Sequence, residues 1–165
     1  MIADGVVVGQ PDRSAGHLDD LAPLWRAMQA HQIAVATAGG LNHDLDRGWE
    51  IRRSWYHDEL AKGGAIVRAH RGDRLVGYCA VSLQPNADET FDSAAMATVI
   101  TLSVLEEERG SGVGSALLER AEDFARSCGA DTLALEVMPG NDRARALYER
   151  LGFSAVEVRM HRRID

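Results

Sequence analysis

Three glycines at alternate positions place the tightest constraint on this chain. Residues 108–118 read Glu-Arg-Gly-Ser-Gly-Val-Gly-Ser-Ala-Leu-Leu. Residues 97–104 before them are rich in β-branched side chains, and the apolar spacing after them is helical. Glycine at that density interrupts regular structure, so the chain passes here from strand through turn to helix. Such a turn aims successive backbone N–H groups into one concavity, and the helix start adds a partial positive charge. The stretch therefore predicts an anion site. It is not a dinucleotide fingerprint, because Gly110, Gly112 and Gly114 lack the G-x-G-x-x-G spacing. It is not a P-loop either, because no Lys-Ser/Thr pair follows the glycines.

The rest of the chain supplies a framework for that turn. Val6-Val7-Val8 forms a first short strand, ended by Pro11 and Asp12. Asp19 and Asp20 lead into a helix carrying Leu21, Leu24, Trp25 and Met28 at helical spacing, with His31 one turn on. Residues 33–42, with Gly39-Gly40 inside them, read as a loop. A second helix starts near Asp44 and places Leu45, Trp49, Arg52, Tyr56 and Leu60 on one face. Gly63-Gly64 ends it. Residues 65–69 and 75–83 then flank a turn and read as an antiparallel hairpin. Residues 85–94 form a polar connection whose Asp88, Glu89 and Asp92 are either a solvated loop or an acidic rim for an amine.

After the glycine turn, Val113, Leu117, Ala121, Phe124 and Cys128 mark one buried helical face, with Gly129 as its stop. Residues 132–137 form a further strand. Asn141 caps a helix in which Ala144, Leu147, Tyr148 and Leu151 share a face. Gly152 closes it, and alternating Val156, Val158 and Met160 predict a last strand. The expected order is β-α-α-β-β-β-α-β-α-β, an α/β fold with a mixed sheet and helices on both faces. Over residues 1–165 no linker divides the chain, so one domain is expected.

Composition narrows the partners. The net charge of −7 disfavours nucleic acid and tolerates a cationic substrate such as an amine. No apolar run is long enough for a bilayer and no leader is evident, so a cytoplasmic protein with no membrane partner is expected. Cys79 and Cys128 are expected as buried free thiols, and no Cys/His spacing suits a metal.

Two motifs in sequence give these elements an identity. Arg109, Gly112 and Gly114 fit Arg/Gln-x-x-Gly-x-Gly/Ala, preceded by Leu102-Ser103-Val104 as L-x-V. Asn141, Ala144, Leu147, Tyr148, Gly152 and Phe153 fit Asn-x-x-Ala-x-x-Leu-Tyr-x-x-x-Gly-Phe. On these residues the chain resembles the GCN5-related N-acetyltransferase (GNAT) superfamily over residues 97–153. The resemblance implies acetyl-coenzyme A as co-substrate, with its pyrophosphate on the N–H groups of Gly110, Ser111, Gly112, Val113, Gly114 and Ser115. It also implies a bulged strand that splays from its neighbour, and a pantetheine arm lying against the main chain of Leu102, Ser103 and Val104. Asn141 would contact the same arm while capping its helix.

Tyr148 is then the general acid for the departing thiolate. Thr98, Ile100 and Thr101 stand where many members carry a glutamate base. Glu136 in Leu135-Glu136-Val137 takes that place by resemblance to the ribosomal-protein N-terminal acetyltransferases, directly or through water. The implied activity is acetyl transfer to a small-molecule or peptide amine in a ternary complex. The alternative is a non-catalytic acyl-coenzyme A sensor or interaction domain, against which Tyr148 argues. Residues 155–162 offer an edge for a homodimer, or, with Arg159, His161, Arg162 and Arg163, a charged surface.

Overall fold

The computed structural model describes residues 4–36, 39–84 and 93–162. Its elements are β1 (Val6–Val8), α1 (Ala22–Val35), α2 (Leu45–Ala61), β2 (Ala65–Arg71), β3 (Arg74–Gln84), β4 (Met96–Val104), α3 (Val113–Ser127), β5 (Thr132–Leu135) and α4 (Asp142–Arg150). Short 3-10 turns at Asp19–Leu21 and Glu106–Glu108 lead into α1 and towards α3. The sheet runs β1-β2-β3-β4-β5 in space. All pairs are antiparallel except β4–β5, which is parallel and needs the α3 crossover between its strands.

The sheet buries both faces. Val67, Cys79, Val81, Ala97 and Val99 pack under Val113, Leu117, Ala121 and Phe124 of α3. Ile66, Tyr78 and Ala80 face Leu24 and Trp25 of α1 and Trp49, Tyr56 and Leu60 of α2. The β2–β3 residues thus alternate between two apolar layers, which is why both strands read as near-continuous hydrophobic runs. At the start of α2, Asp44 accepts a hydrogen bond from Arg47 N–H at 3.0 Å. That side-chain cap supplies a partner the first helical turn lacks.

Four expectations need correction. Residues 153–162 join no ladder, so the last strand is not formed. Val156, Val158 and Met160 are 72%, 85% and 88% exposed, so their alternation finds no apolar face to cover. A period of two needs a partner strand before it becomes structure. The strand expected at 132–137 stops at Leu135, and α1 continues through Val35 into the expected loop. Cys79 is buried, but Cys128 is exposed, because the buried face of α3 ends at Ala125 and Cys128 lies beyond it at the C-cap.

Two predictions follow from the packing. A Cβ on Gly64 would stand 2.5 Å from Val81 O and 2.8 Å from Glu59 O, both backbone atoms. Gly64→Ala is expected to destabilise the protein by about 1–3 kcal/mol in urea unfolding, as overpacking does. Burial also pushes the Cys79 thiol up to about 12. An unfolded chain ionises that thiol first, so stability is full below its ordinary value of 9.0 and declines as pH rises towards 12. Thermal melts of Cys79→Ala are expected to lose part of that alkaline decline.

Candidate functional site

The candidate site lies where β4 stops being an ordinary strand. In its ladder with β3, Val99 opposes Val81 and Thr101 opposes Ala80, leaving Ile100 as an extra residue, a β-bulge. The parallel ladder with β5 ends at Val99–Leu135, while pairing with β3 continues to Val104–Gly77. From Ile100 onward, the β5-facing edge of β4 has no ladder partner among the described residues. The splayed, bulged strand implied by the resemblance is therefore present. Leu102 and Val104 belong to the α3 layer, whereas the buried Ser103 hydroxyl donates to Leu24 O at 2.9 Å on the opposite face.

The glycine turn follows. Gly110 and Gly112 have φ of 84° and 86°, a left-handed conformation that side-chain-bearing residues rarely adopt. Gly112 serves as the N-cap of α3, and no side chain caps that end. The first helical hydrogen bond there runs from Ala116 N–H to Gly112 O at 3.0 Å. The N–H groups of Gly112, Val113, Gly114 and Ser115 precede it and have no helical partner. Arg109 donates through Nε to Val104 O at 3.2 Å, and the Ser111 hydroxyl donates to Glu108 O at 2.5 Å. These two bonds tie the turn to the strand it leaves.

A residue missed by sequence reasoning anchors the same turn. Glu108 is buried, and its carboxylate takes two hydrogen bonds from the Arg71 guanidinium, at 2.7 and 2.8 Å. The hydrogen bonds from Arg71 hold the Glu108 carboxyl below the usual carboxylate range. Arg71 ends β2, so the fork pins the turn to the far part of the sheet. No local pattern joins positions 71 and 108, and only the hairpin register brings them together.

The helix α4 completes the group. A Cβ on Gly114 would lie 3.5 Å from Leu147 and 3.9 Å from Val104, so α3, α4 and β4 meet closely there. Arg143 reaches the turn, its guanidinium 3.7 Å from where a Gly110 Cβ would stand. Its place two residues after Asn141, in the first turn of α4, was the available signal. Asn141 Oδ1 accepts from Ala144 N–H at 3.2 Å, so the expected cap is observed and its amide nitrogen stays available. Tyr148 stacks edge-on against Phe153, with ring centroids 5.9 Å apart, and packs on the α3 layer. Burial first, then the neighbouring Cys79 thiol, pushes its phenol up to about 12. The Tyr148 hydroxyl has no hydrogen-bond partner among the described residues.

Glu136 stands apart from this group. It lies one residue beyond β5, is exposed, and pairs with Arg159 at 2.8 Å. The structure thus gathers Leu102, Val104, Leu147 and Tyr148 in one cluster beside the glycine turn, with Arg109 tied to Val104 and Asn141 at the start of α4, while Glu136 is exposed outside that cluster. Asp88, Glu89 and Asp92 fall outside the described residues. Among the described residues, no group of three or more His, Cys, Asp or Glu is placed to hold a metal ion. No helix among the described residues is long and apolar enough to cross a membrane.

Comparison with known proteins agrees with this geometry. The family model described as "Acetyltransferase (GNAT) family" matches residues 28–153. A mycothiol acetyltransferase from Corynebacterium aurimucosum is 39% identical over 124 residues, covering 70% of this chain and 39% of that protein. The N-alpha-acetyltransferase RimI of Mycobacterium tuberculosis is 37% identical over 93 residues, covering 56% of this chain and 54% of that protein. The matched stretch thus spans about two fifths to about half of these relatives' length. Among solved structures, the aminoglycoside N-acetyltransferase AAC(6')-Iy in complex with CoA superposes with a TM-score of 0.72. It shares 17% identity, with 99% of each chain covered.

The Arg71–Glu108 fork generates a prediction for the turn. Glu108→Gln removes the charge while keeping the shape, and is expected to speed amide hydrogen exchange across residues 108–114. Exchange equal to the wild type there would show that the fork does not hold the turn.

Proposed function

Because the chain belongs to the GNAT acetyltransferase family, we propose that it transfers an acetyl group from acetyl-coenzyme A to a primary amine within a ternary complex. The observation that carries this reading is the uncapped α3 N-terminus, entered through two left-handed glycines beside a β4 edge left unpaired from Ile100. An anionic head fits the first feature and an amide-bearing arm fits the second. The CoA complex of AAC(6')-Iy supports the same donor, because its fold is shared over nearly the whole chain.

When bound, acetyl-coenzyme A supplies an activated acetyl carbonyl and a thiol leaving group. The N–H groups from Gly110 to Ser115 would hold its pyrophosphate, with Arg109 and Arg143 adding positive charge at the turn. The free edge at Leu102, Ser103 and Val104 would take the arm through main-chain hydrogen bonds. One N–H there would bear on the carbonyl oxygen as negative charge develops. Asn141 would give its free amide to the arm.

The chemistry needs one proton moved away from the amine and one delivered to sulfur. The amine nitrogen bonds to the acetyl carbon and the carbon–sulfur bond breaks. Glu136, alone or through water, accepts the proton the amine loses. Its exposed pairing with Arg159 is weak enough to open for this. Tyr148 delivers the proton that sulfur gains. A phenol held at about 12 is protonated throughout the physiological range. It is therefore able to donate as the carbon–sulfur bond breaks.

The acceptor is a small-molecule or peptide amine. The relatives' names, a mycothiol acetyltransferase, an N-alpha-acetyltransferase and an aminoglycoside acetyltransferase, span several acceptors and select none. The deciding assay follows free thiol as the protein is given acetyl-coenzyme A and a panel of amines. Thiol release with one acceptor is the expected outcome, whereas tight binding without release from any would favour a sensor. Tyr148→Phe is expected to lower kcat by about 10²- to 10⁴-fold while leaving coenzyme A affinity near wild type. Wild-type kcat should show no alkaline loss of the acid below about pH 10, since the phenol keeps its proton there. Glu136→Gln is expected to lower kcat while leaving coenzyme A affinity near wild type.

A further inference from the structure

The bulge at Ile100 has a support on the face opposite the glycine turn. Val99 and Leu102 pack into the α3 layer, but Ile100 packs into the α1–α2 layer. The adjacent Thr101 hydroxyl also meets Tyr56 of α2. Two consecutive residues therefore point to one face, which a regular strand forbids. A bulge leaves backbone groups out of the ladder, and in a buried sheet they need other partners.

The Ile100 carbonyl has two such partners. The Arg52 guanidinium donates to it at 3.2 Å and the Thr101 hydroxyl at 2.7 Å. Behind Thr101 stands a relay. Tyr56 donates its hydroxyl proton to Thr101 Oγ1 at 2.5 Å. Tyr56 has no second proton, so the contact of 3.0 Å between the two phenols must be Tyr78 donating to Tyr56. Three hydroxyl protons thus point the same way, and the sequence ends on the carbonyl of the bulged residue. Tyr56, Tyr78 and Thr101 are all buried, where aligned hydrogen bonds reinforce one another. Burial pushes both phenols above their ordinary values, which keeps them as donors. Arg52 is itself held over aromatic rings, its guanidinium carbon 4.6 Å from the Trp55 centroid and 5.8 Å from that of Tyr56.

We propose that Arg52 and the Tyr78–Tyr56–Thr101 relay are positioning residues that hold the β4 bulge and so set the opening between β4 and the chain beyond Leu135. The proposal rests on the acetyl-coenzyme A reading, because that opening is where the arm would lie. None of the four side chains would touch the donor. They act through the Ile100 carbonyl, from the other side of the sheet. The β5 ladder ends at Val99–Leu135, one residue before the bulge. Without the extra residue, β4 would alternate regularly, turn Thr101 to the α3 layer and leave its hydroxyl without Tyr56.

Coenzyme A titrated calorimetrically into the full chain tests this, with melting temperature measured in parallel. Thr101→Val and Arg52→Met are expected to raise the coenzyme A dissociation constant about tenfold, the scale of one lost charge-assisted or buried hydrogen bond. Thr101→Ser keeps the hydroxyl and should return affinity to within about twofold of wild type. Leu60→Ala sits in the same core layer and on the same helix as Arg52. It should lower the melting temperature without changing affinity. Arg52 is only partly buried, so Arg52→Met remains informative if Thr101→Val fails to fold. If both variants only lower the melting temperature and bind coenzyme A like the wild type, the positioning role is overturned while the acetyltransferase reading stands. A wild-type chain that takes up no coenzyme A would overturn both.

Discussion

One strand has to satisfy two neighbours that want different things from it. β4 stays in register with β3 to its last residue, yet gives up β5 after Val99. A single extra residue reconciles these demands, at the cost of a carbonyl out of the ladder in a half-buried place. The other features of the candidate site depend on that reconciliation. An edge with free main-chain groups exists because β5 has left it. The glycine turn starts where β4 ends. The α3 crossover that makes β4 and β5 parallel also presents its uncapped N-terminus at the same opening. Site and fold share one cause.

The two faces of the sheet divide the work. The α3 face is apolar up to the opening, with Leu102, Val104, Leu147 and Tyr148 gathered on one cluster. The α1–α2 face carries hydrogen-bonded polar groups, among them the phenols, Thr101, Ser103 and the Arg52 guanidinium, while the buried Trp25 Nε1 there has no partner among the described residues. A buried hydroxyl chain is harder to accommodate than aliphatic packing unless every member has a partner. Here every member has one. The Arg71–Glu108 fork plays a comparable part for the turn, substituting a long-range bidentate contact for a local cap.

How far the sequence was legible follows from the range of each interaction. The glycines, the Asn141 cap and the α3 face are local patterns, and the structure shows them where the spacing puts them. The Arg71–Glu108 fork and the Arg52–Ile100 bond join residues 37 and 48 positions apart. Arg52 and Tyr56 were readable as one face of α2, but not that this face ends on a bulge. Arg143 was hidden differently, since an arginine in a first helical turn is unremarkable until Gly110 is found beside it. Val156, Val158 and Met160 mark the opposite failure. Their alternation fits a strand, but a strand belongs to a pair of segments, and no single segment encodes its partner. Cys128 continues the apolar spacing of α3 past Ala125, the last residue the sheet covers, so its thiol meets solvent.

The ion pair between Glu136 and Arg159 joins two segments that no ladder constrains. The glycine-turn side of the opening is built from parts locked by register, helix packing and a buried fork. Residues 154–162 are exposed chain that joins no ladder, whereas Phe153 just before them stays packed on Tyr148. Substitution is therefore resisted in one segment and tolerated in the other, and the packed core keeps its form whatever the exposed segment carries.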